Sequence, residues 1–420
     1  MPASLDGLDR AQQSAVTHRG GPLLVLGGPG TGKTHVLTRR AGWLIEEGTP
    51  AEGVLVLAPT ATAAADLRMR LETLIETAYE ELSVFSAQEL CERILRDEAL
   101  EAGLDPLFAP VSAADRLALL LERIDDLPLR RHEIRGNPAP LLAGFVERID
   151  RLKEEMVRAQ DFRRWAEARA AVADTDDERT HAERELEVAA VYAAHDRLLT
   201  QAGALDVGDL TLHAFRLLQE KPHVRARLAA RFPFVLCDSY QDLTFAQGAM
   251  ARLLTQERRE LTVAGNDDEA VRRTRGRAAK NLRDFAREHP DATTIVLARS
   301  RRVAKPLLDA AEAVIAPSTD RIEKKLSAAT SNGSVSFWRC QSERAQAQAV
   351  AGDVERLVER KGVAAGDVAV FVPSLKDDGP VVAAALEERA IPFRLVGGAA
   401  YFQRAEVRDL LAWLRALDDP

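Results

Sequence analysis

Hydrophobic positions change their period along the chain, and those changes mark out its elements. "PLLVLGG" (Pro22–Gly28) and "VLVLAPT" (Val54–Thr60) are short, wholly apolar runs bounded by turn residues, the pattern of strands buried on both faces. Each leads into a segment of helical period, "HVLTRRAGWLIEEG" and "AAADLRMRLETLIE". Strands alternating with helices of this length predict a parallel sheet. From about 89 to 205 the strand pattern stops, and "SAADRLALLLERI", "LLAGFVERIDRLKEEM" and "ERELEVAAVYAAHDRLL" place apolar residues three and four apart. It returns in "FVLCDS" and in "LTVAGN" (Leu261–Asn266). The expected architecture is therefore an α/β domain, residues 1–88 plus 206–289, interrupted by a helical insertion over 89–205. Beyond 290, "TTIVLAR", "SVSFWRC", "VAVFVPS" and "IPFRLVG" alternate with helical segments and predict a second parallel sheet over 290–420. "APSTDRIEKKLSAATSNGS" (Ala316–Ser334) is polar and turn-rich and reads as a surface connection.

Composition narrows the class. At 420 residues the chain exceeds one ordinary core, and its 46% hydrophobic and 29% charged residues are those of a globular protein. A formal charge of -8 excludes coating nucleic acid by bulk charge, while leaving room for a local basic groove. Cys91, Cys237 and Cys340 form no CxxC pair and read as reduced thiols, neither a disulfide framework nor a zinc site. No secretory signal and no membrane-length apolar run are present, so a cytoplasmic protein with no membrane partner is expected. The four tryptophans, Trp43, Trp165, Trp338 and Trp413, are scattered and read as core residues. The eight histidines show no metal-ligand spacing.

The sharpest chemistry lies in "GGPGTGKT" (Gly27–Thr34), which fits G-x-x-x-x-G-K-[ST] between a predicted strand and a predicted helix. A glycine-rich turn without a ligand is the bland alternative; motif and context together favour a phosphate loop. Gly27, Gly28, Pro29, Gly30, Thr31 and Gly32 would wrap backbone N–H groups around the phosphates of ATP, with the helix dipole in support. Lys33 would hold the β- and γ-phosphates and Thr34 would bind Mg²⁺. Asp238, ending the run "FVLCDS", fits a second magnesium partner better than a simple turn residue once paired with that loop.

These pieces, in this order, resemble the UvrD/Rep/PcrA group of superfamily 1 DNA helicases across nearly the whole chain. "LDRAQQSAV" resembles the family's glutamine motif, which implies that Gln12 reads the adenine. "LAPTATAAADLRMRL" and "ALDVGDL" resemble the segments after the second strand and before the magnesium-binding strand. "CDSYQD" matches D-E-x-Q-D at all but one position, and "GNDDEAVRRTRGR" resembles G-D-x-D-Q-x-I-Y-x-[FW]-R-G-A. "LARSRRV" resembles L-x-x-N-Y-R-S, which implies that Arg302 reaches the γ-phosphate. "VAVFVPS…IPFRLVGGAAYFQRAEVRDLLAWLR" resembles the first half of the second motor domain. The resemblance implies a P-loop NTPase fold: a RecA-like parallel sheet with a helical insertion, then a partial second RecA-like domain.

The departures cluster at the chemistry. Ser239 stands where the family has a glutamate that activates water, and a hydroxyl without an adjacent base does not take that proton near neutral pH. Glu269 stands at the position of a γ-phosphate-sensing glutamine, Arg301 at that of an adenine-stacking tyrosine, and His35 where arginine is common. Pro59, Arg272 and Thr274 replace DNA-stacking aromatics. The run "RRTRGR" (Arg272–Arg277) reads equally as a source of phosphate contacts or as a solvated basic turn. Gln241 and Asp242 read equally as a link between cleft and DNA site or as support under the strand end. The family's remaining second-domain motifs have no counterpart up to "LRALDDP", so the second lobe is expected to be half-built. The first functional expectation is a family member that binds Mg-ATP and DNA (single-stranded or at a duplex junction) with impaired hydrolysis. The alternatives are an active ATP-dependent 3′–5′ DNA helicase in repair or recombination, and a non-catalytic scaffold docked on a partner helicase or nuclease subunit.

Overall fold

The structure, a computed structural model, describes residues 3–76, 78–132, 136–270, 281–319, 321–375, 377–396 and 413. Its contacts divide into two units, Met1–Ser334 and Val335–Pro420.

The first unit is built on a parallel sheet of six strands: β1 (Leu23–Gly27), β2 (Val54–Ala58), β3 (Val84–Ser86), β4 (Phe234–Cys237), β5 (Leu261–Gly265) and β6 (Thr293–Leu297). Their order is β3-β2-β4-β5-β1-β6. Successive side chains of a strand point to opposite faces. Leu24, Leu26, Leu55, Leu57, Val235 and Val263 accordingly enter one core, with residues of the helices Ala87–Asp97, Val207–Glu220 and Phe245–Thr255. Leu23, Val25, Val54, Val56, Leu236 and Ala264 enter the other. Helices α1 (Arg10–Val16), α2 (Lys33–Glu46) and Ala61–Glu72 cover that second face. Both faces of β1, β2, β4 and β5 are covered, which is why those strands read as unbroken apolar runs; each fully buried leucine contributes about 1.5–3 kcal/mol.

Two features of this sheet differ from the sequence expectation. Val84–Ser86 joins as an edge strand, too short for a pattern of its own to show. "TTIVLAR", expected to open a second sheet at residue 290, instead completes the first, with Val25 opposite Ile295 and Thr293 N–H donating to Pro22 O at 3.0 Å. An apolar run states that a strand will form; the open ladder beside β1 decided where.

Within 89–205 the helices Ala139–Glu154, Ala159–Ala171 and Asp176–Gln201 pack around Leu142, Phe145, Val146, Phe162, Val188 and Val191. A network of buried charge lies where this layer meets Val207–Glu220: Lys153 donates to Asp206 at 2.8 Å and to Asp209 at 2.5 Å, and Arg116 forks onto Asp150 at 2.6 and 2.8 Å.

In the second unit the helices Glu343–Lys361 and Gly379–Glu387 pack through Ala347, Ala351 and Val354 against Ala385 and Leu386. Among the described residues, "SVSFWRC", "VAVFVPS" and "IPFRLVG" form no ladder, contrary to expectation. Phe337 and Phe371 are 89% and 94% exposed, so the apolar cover that drives parallel pairing is missing there. Of the tryptophans only Trp43 is in a core; Trp165 stacks on Phe162 at the surface, and Trp338 and Trp413 are exposed.

Candidate nucleotide-binding site

The carboxyl ends of β1, β4 and β5 lie side by side in the sheet, and each delivers part of one site. Asp9 caps α1 through a reciprocal box: Gln12 N–H donates to Asp9 Oδ1 at 3.0 Å and Asp9 N–H to Gln12 Oε1 at 3.2 Å. That box orients the buried Gln12 amide so that Nε2 donates to Thr31 O at 3.2 Å. Gln12 thus braces the loop from the side.

The loop demands its glycines. At Gly28 an added β-carbon would stand 2.3 Å from Leu326 Cδ1. At Gly30, where φ is +71°, it would stand 2.8 Å from Arg302 Cβ and 2.9 Å from Ser300 Oγ. Ser300 donates to Pro29 O at 2.7 Å and accepts from Val303 N–H at 3.1 Å, while Arg301 N–H donates to Gly30 O at 2.9 Å. The segment after β6 is therefore stitched along the loop, and this places exposed Arg302 at its rim. The Arg301 guanidinium is held by Asp9 at 3.0 Å. His35 is kept below its usual pKa by burial and then by the neighbouring Arg39 and Arg301 charges, so its imidazole is neutral near pH 7.

Lys33 and Thr34 open α2 immediately beyond Gly32, and the helix dipole favours an anion there. Lys33 Nζ donates to Gly27 O at 2.9 Å, to Gly28 O at 3.1 Å and to Glu269 Oε2 at 3.2 Å. Thr34 Oγ1 donates to Asp238 Oδ2 at 2.8 Å. Asp238 N–H donates to Leu57 O at 2.8 Å, which extends the β2–β4 ladder and fixes the carboxylate's place. Burial pushes the Asp238 carboxyl above its ordinary range, against the hydrogen bonds from Thr34 and Ser239 and the charge of Lys33. A buried carboxylate beside a hydroxyl at the mouth of a phosphate loop is a donor pair suited to magnesium, which takes one or two carboxylates and completes its shell with water and phosphate. Ser239 has φ +49°, in the left-handed region, and its N–H donates to Asp238 Oδ1 at 2.9 Å.

Glu269 ends the short turn Asp267–Glu269 after β5. Gln241 joins the ends of β4 and β5, accepting from Asn266 N–H at 3.1 Å. The structure thus brings together Gln12, Gly27 to Thr34, Asp238, Glu269 and Arg302, the residues singled out from the sequence. "RRTRGR", with Arg272 and Thr274, lies outside the described residues.

The sequence reading missed a strap. Ala316–Ser334 was expected on the surface, yet Lys324 is buried, paired with Asp267 and with Asp268 at 3.1 Å. Arg321 forks onto Asp268 at 2.9 and 2.7 Å, and Ile322 N–H donates to Asp267 Oδ2 at 2.6 Å. Ser327–Ala328 then pairs with Arg299–Ser300, and Leu326 closes on Gly28. Charge in a polar run carries no local sign of burial; only the paired acids in "GNDDE" hinted at a partner.

A glycine loop between strand and helix, with lysine and threonine facing an aspartate from a nearby parallel strand, defines an α/β protein of the P-loop class. Comparison with known families narrows the class. The model of the UvrD/REP helicase N-terminal domain matches residues 8–290, and that of the UvrD-like helicase C-terminal domain matches 295–420. The chain belongs to the UvrD/REP helicase family. It is 34% identical over 428 residues to ATP-dependent DNA helicase UvrD1 of Mycobacterium bovis, covering 99% of this chain and 53% of that protein. It is 29% identical over 418 residues to ATP-dependent DNA helicase PcrA of Leuconostoc citreum (99% and 53%), and 28% over 421 residues to PcrA of Staphylococcus aureus (99% and 54%). The chain spans about half the length of the curated relatives it matches. No helix among the described residues is long and apolar enough to cross a membrane.

Proposed function

We propose that the chain binds an adenine nucleotide with magnesium at Gly27 to Thr34 and Asp238, binds DNA, and by itself hydrolyses ATP slowly. The observation that carries this reading is the 2.8 Å contact between Thr34 and Asp238 beside Lys33, with Ser239 next in the chain. Lys33 rests on the carbonyls of Gly27 and Gly28, neutral acceptors that a phosphate oxygen replaces with a stronger, charge-assisted bond. Thr34 and Asp238 would hold magnesium, which when bound neutralises charge on the phosphates. Arg302, whose β-carbon lies beside Gly30, would meet charge developing on a terminal phosphate. Next to Asp238 stands Ser239, whose hydroxyl does not ionise near pH 7, and loss of a general base at that position would cost about 10²–10⁴ in rate. DNA contact through the basic run Arg272–Arg277 would be salt-sensitive and blind to sequence. The setting that suits three unpaired cysteines is the cytoplasm.

Phosphate release by the purified chain, with and without single-stranded DNA, tests this. Turnover should be slow under both conditions and rise by about a hundredfold in Ser239→Glu. Brisk, DNA-stimulated turnover by the unaltered chain would replace this reading with an active ATP-dependent DNA helicase, the activity printed in the names of the relatives.

A further inference from the structure

Glu269 is an unexpected neighbour for a lysine that waits for phosphate. Its carboxylate accepts from Lys33 Nζ at 3.2 and 3.5 Å, and it comes from the end of a different strand, β5. The turn that carries it is fixed from three directions. Asn266 is tied to Gln241 at 3.1 Å, Asp267 accepts from Ile322 N–H at 2.6 Å, and Asp268 is forked by Arg321 and approached by Lys324 at 3.1 Å. The same strap lays Leu326 on Gly28. Asp267 and Asp268 are thus neutralised by the strap, and the remaining acid of the turn is aimed at the loop lysine.

We infer, on the footing of the nucleotide-binding reading above, that this site selects a nucleoside diphosphate over a triphosphate, with Glu269 as the determinant. The two phosphates of a diphosphate use the loop N–H groups and the share of Lys33 now held by the Gly27 and Gly28 carbonyls. The Glu269–Lys33 pair then stays intact. A third phosphate needs the position on Lys33 that the Glu269 carboxylate occupies. Displacing that carboxylate breaks the pair and leaves two anions side by side on a turn that the strap holds in place.

Calorimetric titration of the full chain with Mg-ADP and with the magnesium complex of a non-hydrolysable ATP analogue reads this directly. Wild type should bind ADP at least about tenfold more tightly than the triphosphate analogue, the scale on which a like-charge contact discriminates. Glu269→Gln, which keeps the shape and removes the charge, should shrink that ratio to about threefold or less, chiefly by tightening the triphosphate. Glu269→Ala should move the ratio the same way, which guards against a packing effect of the amide. Equal affinities in wild type, or a ratio unmoved in both variants while ADP still binds, would overturn the selectivity and leave the nucleotide site standing. No binding of either nucleotide would overturn the site itself, and the selectivity with it.

Discussion

In the helical insertion Lys153 is fully buried and donates to Asp206 and Asp209, with Asp196 at 3.1 Å. At the phosphate loop Lys33 is 11% exposed and donates to two backbone carbonyls and to Glu269, a carboxylate left 36% exposed. Both lysines are held by several acceptors, but the acceptors differ in kind. Two of those around Lys153 are buried carboxylates of one helix start: Asp206 caps Val207–Glu220 and Asp209 closes the box, while Asp196 is 38% exposed. Neither of the two buried acids can leave without stranding a charge. Those of Lys33 are two neutral carbonyls, which an entering anion displaces, and an acid that solvent reaches. The comparison separates a charge that holds the fold from a charge that awaits a ligand, a distinction that burial alone does not make.

The comparison breaks most readily at Lys153. Lys153→Ala leaves buried Asp209 without its lysine and Asp206 with Arg116 alone, at 3.0 Å, and removal of one partner from such a group costs about 3–5 kcal/mol. Urea unfolding should show that loss, while nucleotide affinity of the folded fraction stays within about twofold. A small loss would mean that the network is hydrated and not structural. Lys33→Ala is the mirror image. Nucleotide affinity should fall by about a hundredfold, roughly 2.7 kcal/mol, with a change in unfolding free energy below about 0.5 kcal/mol. A large loss of stability there would erase the contrast between the two lysines.

The finest test uses pH. Burial pushes the Asp209 carboxyl up to about 6 against the pull of Lys153, with the Asp206 charge adding to the rise. Asp206 moves the other way: despite its burial, Lys153 and Arg116 hold it below the usual carboxylate range. For Asp209 the folded value lies above the unfolded value of about 3.9, so its protonation favours the folded state. That contribution is complete below about pH 4 and is lost as pH rises through about 6. Melting temperature should therefore fall over this window in wild type relative to Asp209→Asn, whose profile lacks the titration. Parallel profiles would show that the Asp209 carboxyl is not raised in the fold.

The strands β1, β2, β4 and β5 were legible in the sequence because burial on both faces leaves an unbroken apolar run. The phosphate loop was legible because close backbone approach at Gly28 and Gly30 admits no side chain, so its spacing is rigid. Asp238 was legible as the polar residue that ends such a run. The sheet membership of Thr293–Leu297 was not, because a period of two names a strand and not its neighbour. Nor was the burial of Lys324, whose local surroundings "RIEKKLS" are those of a solvated turn. The apolar runs of the second unit show the converse: the pattern of a strand is present, yet among the described residues no ladder forms where Phe337 and Phe371 remain uncovered.

Local chemistry written in the chain determined that a strand, a glycine loop and a helix would follow one another, and that Lys33 and Thr34 would open the helix. Those are consequences of residue size and backbone freedom over short distances. Only the folded arrangement decided that Glu269, 236 positions away in the chain, would reach Lys33, and that a strap from beyond β6 would hold its turn there. Contacts of that range depend on which strand ends lie side by side, and side-by-side order is settled by how the whole sheet assembles rather than by any segment of it.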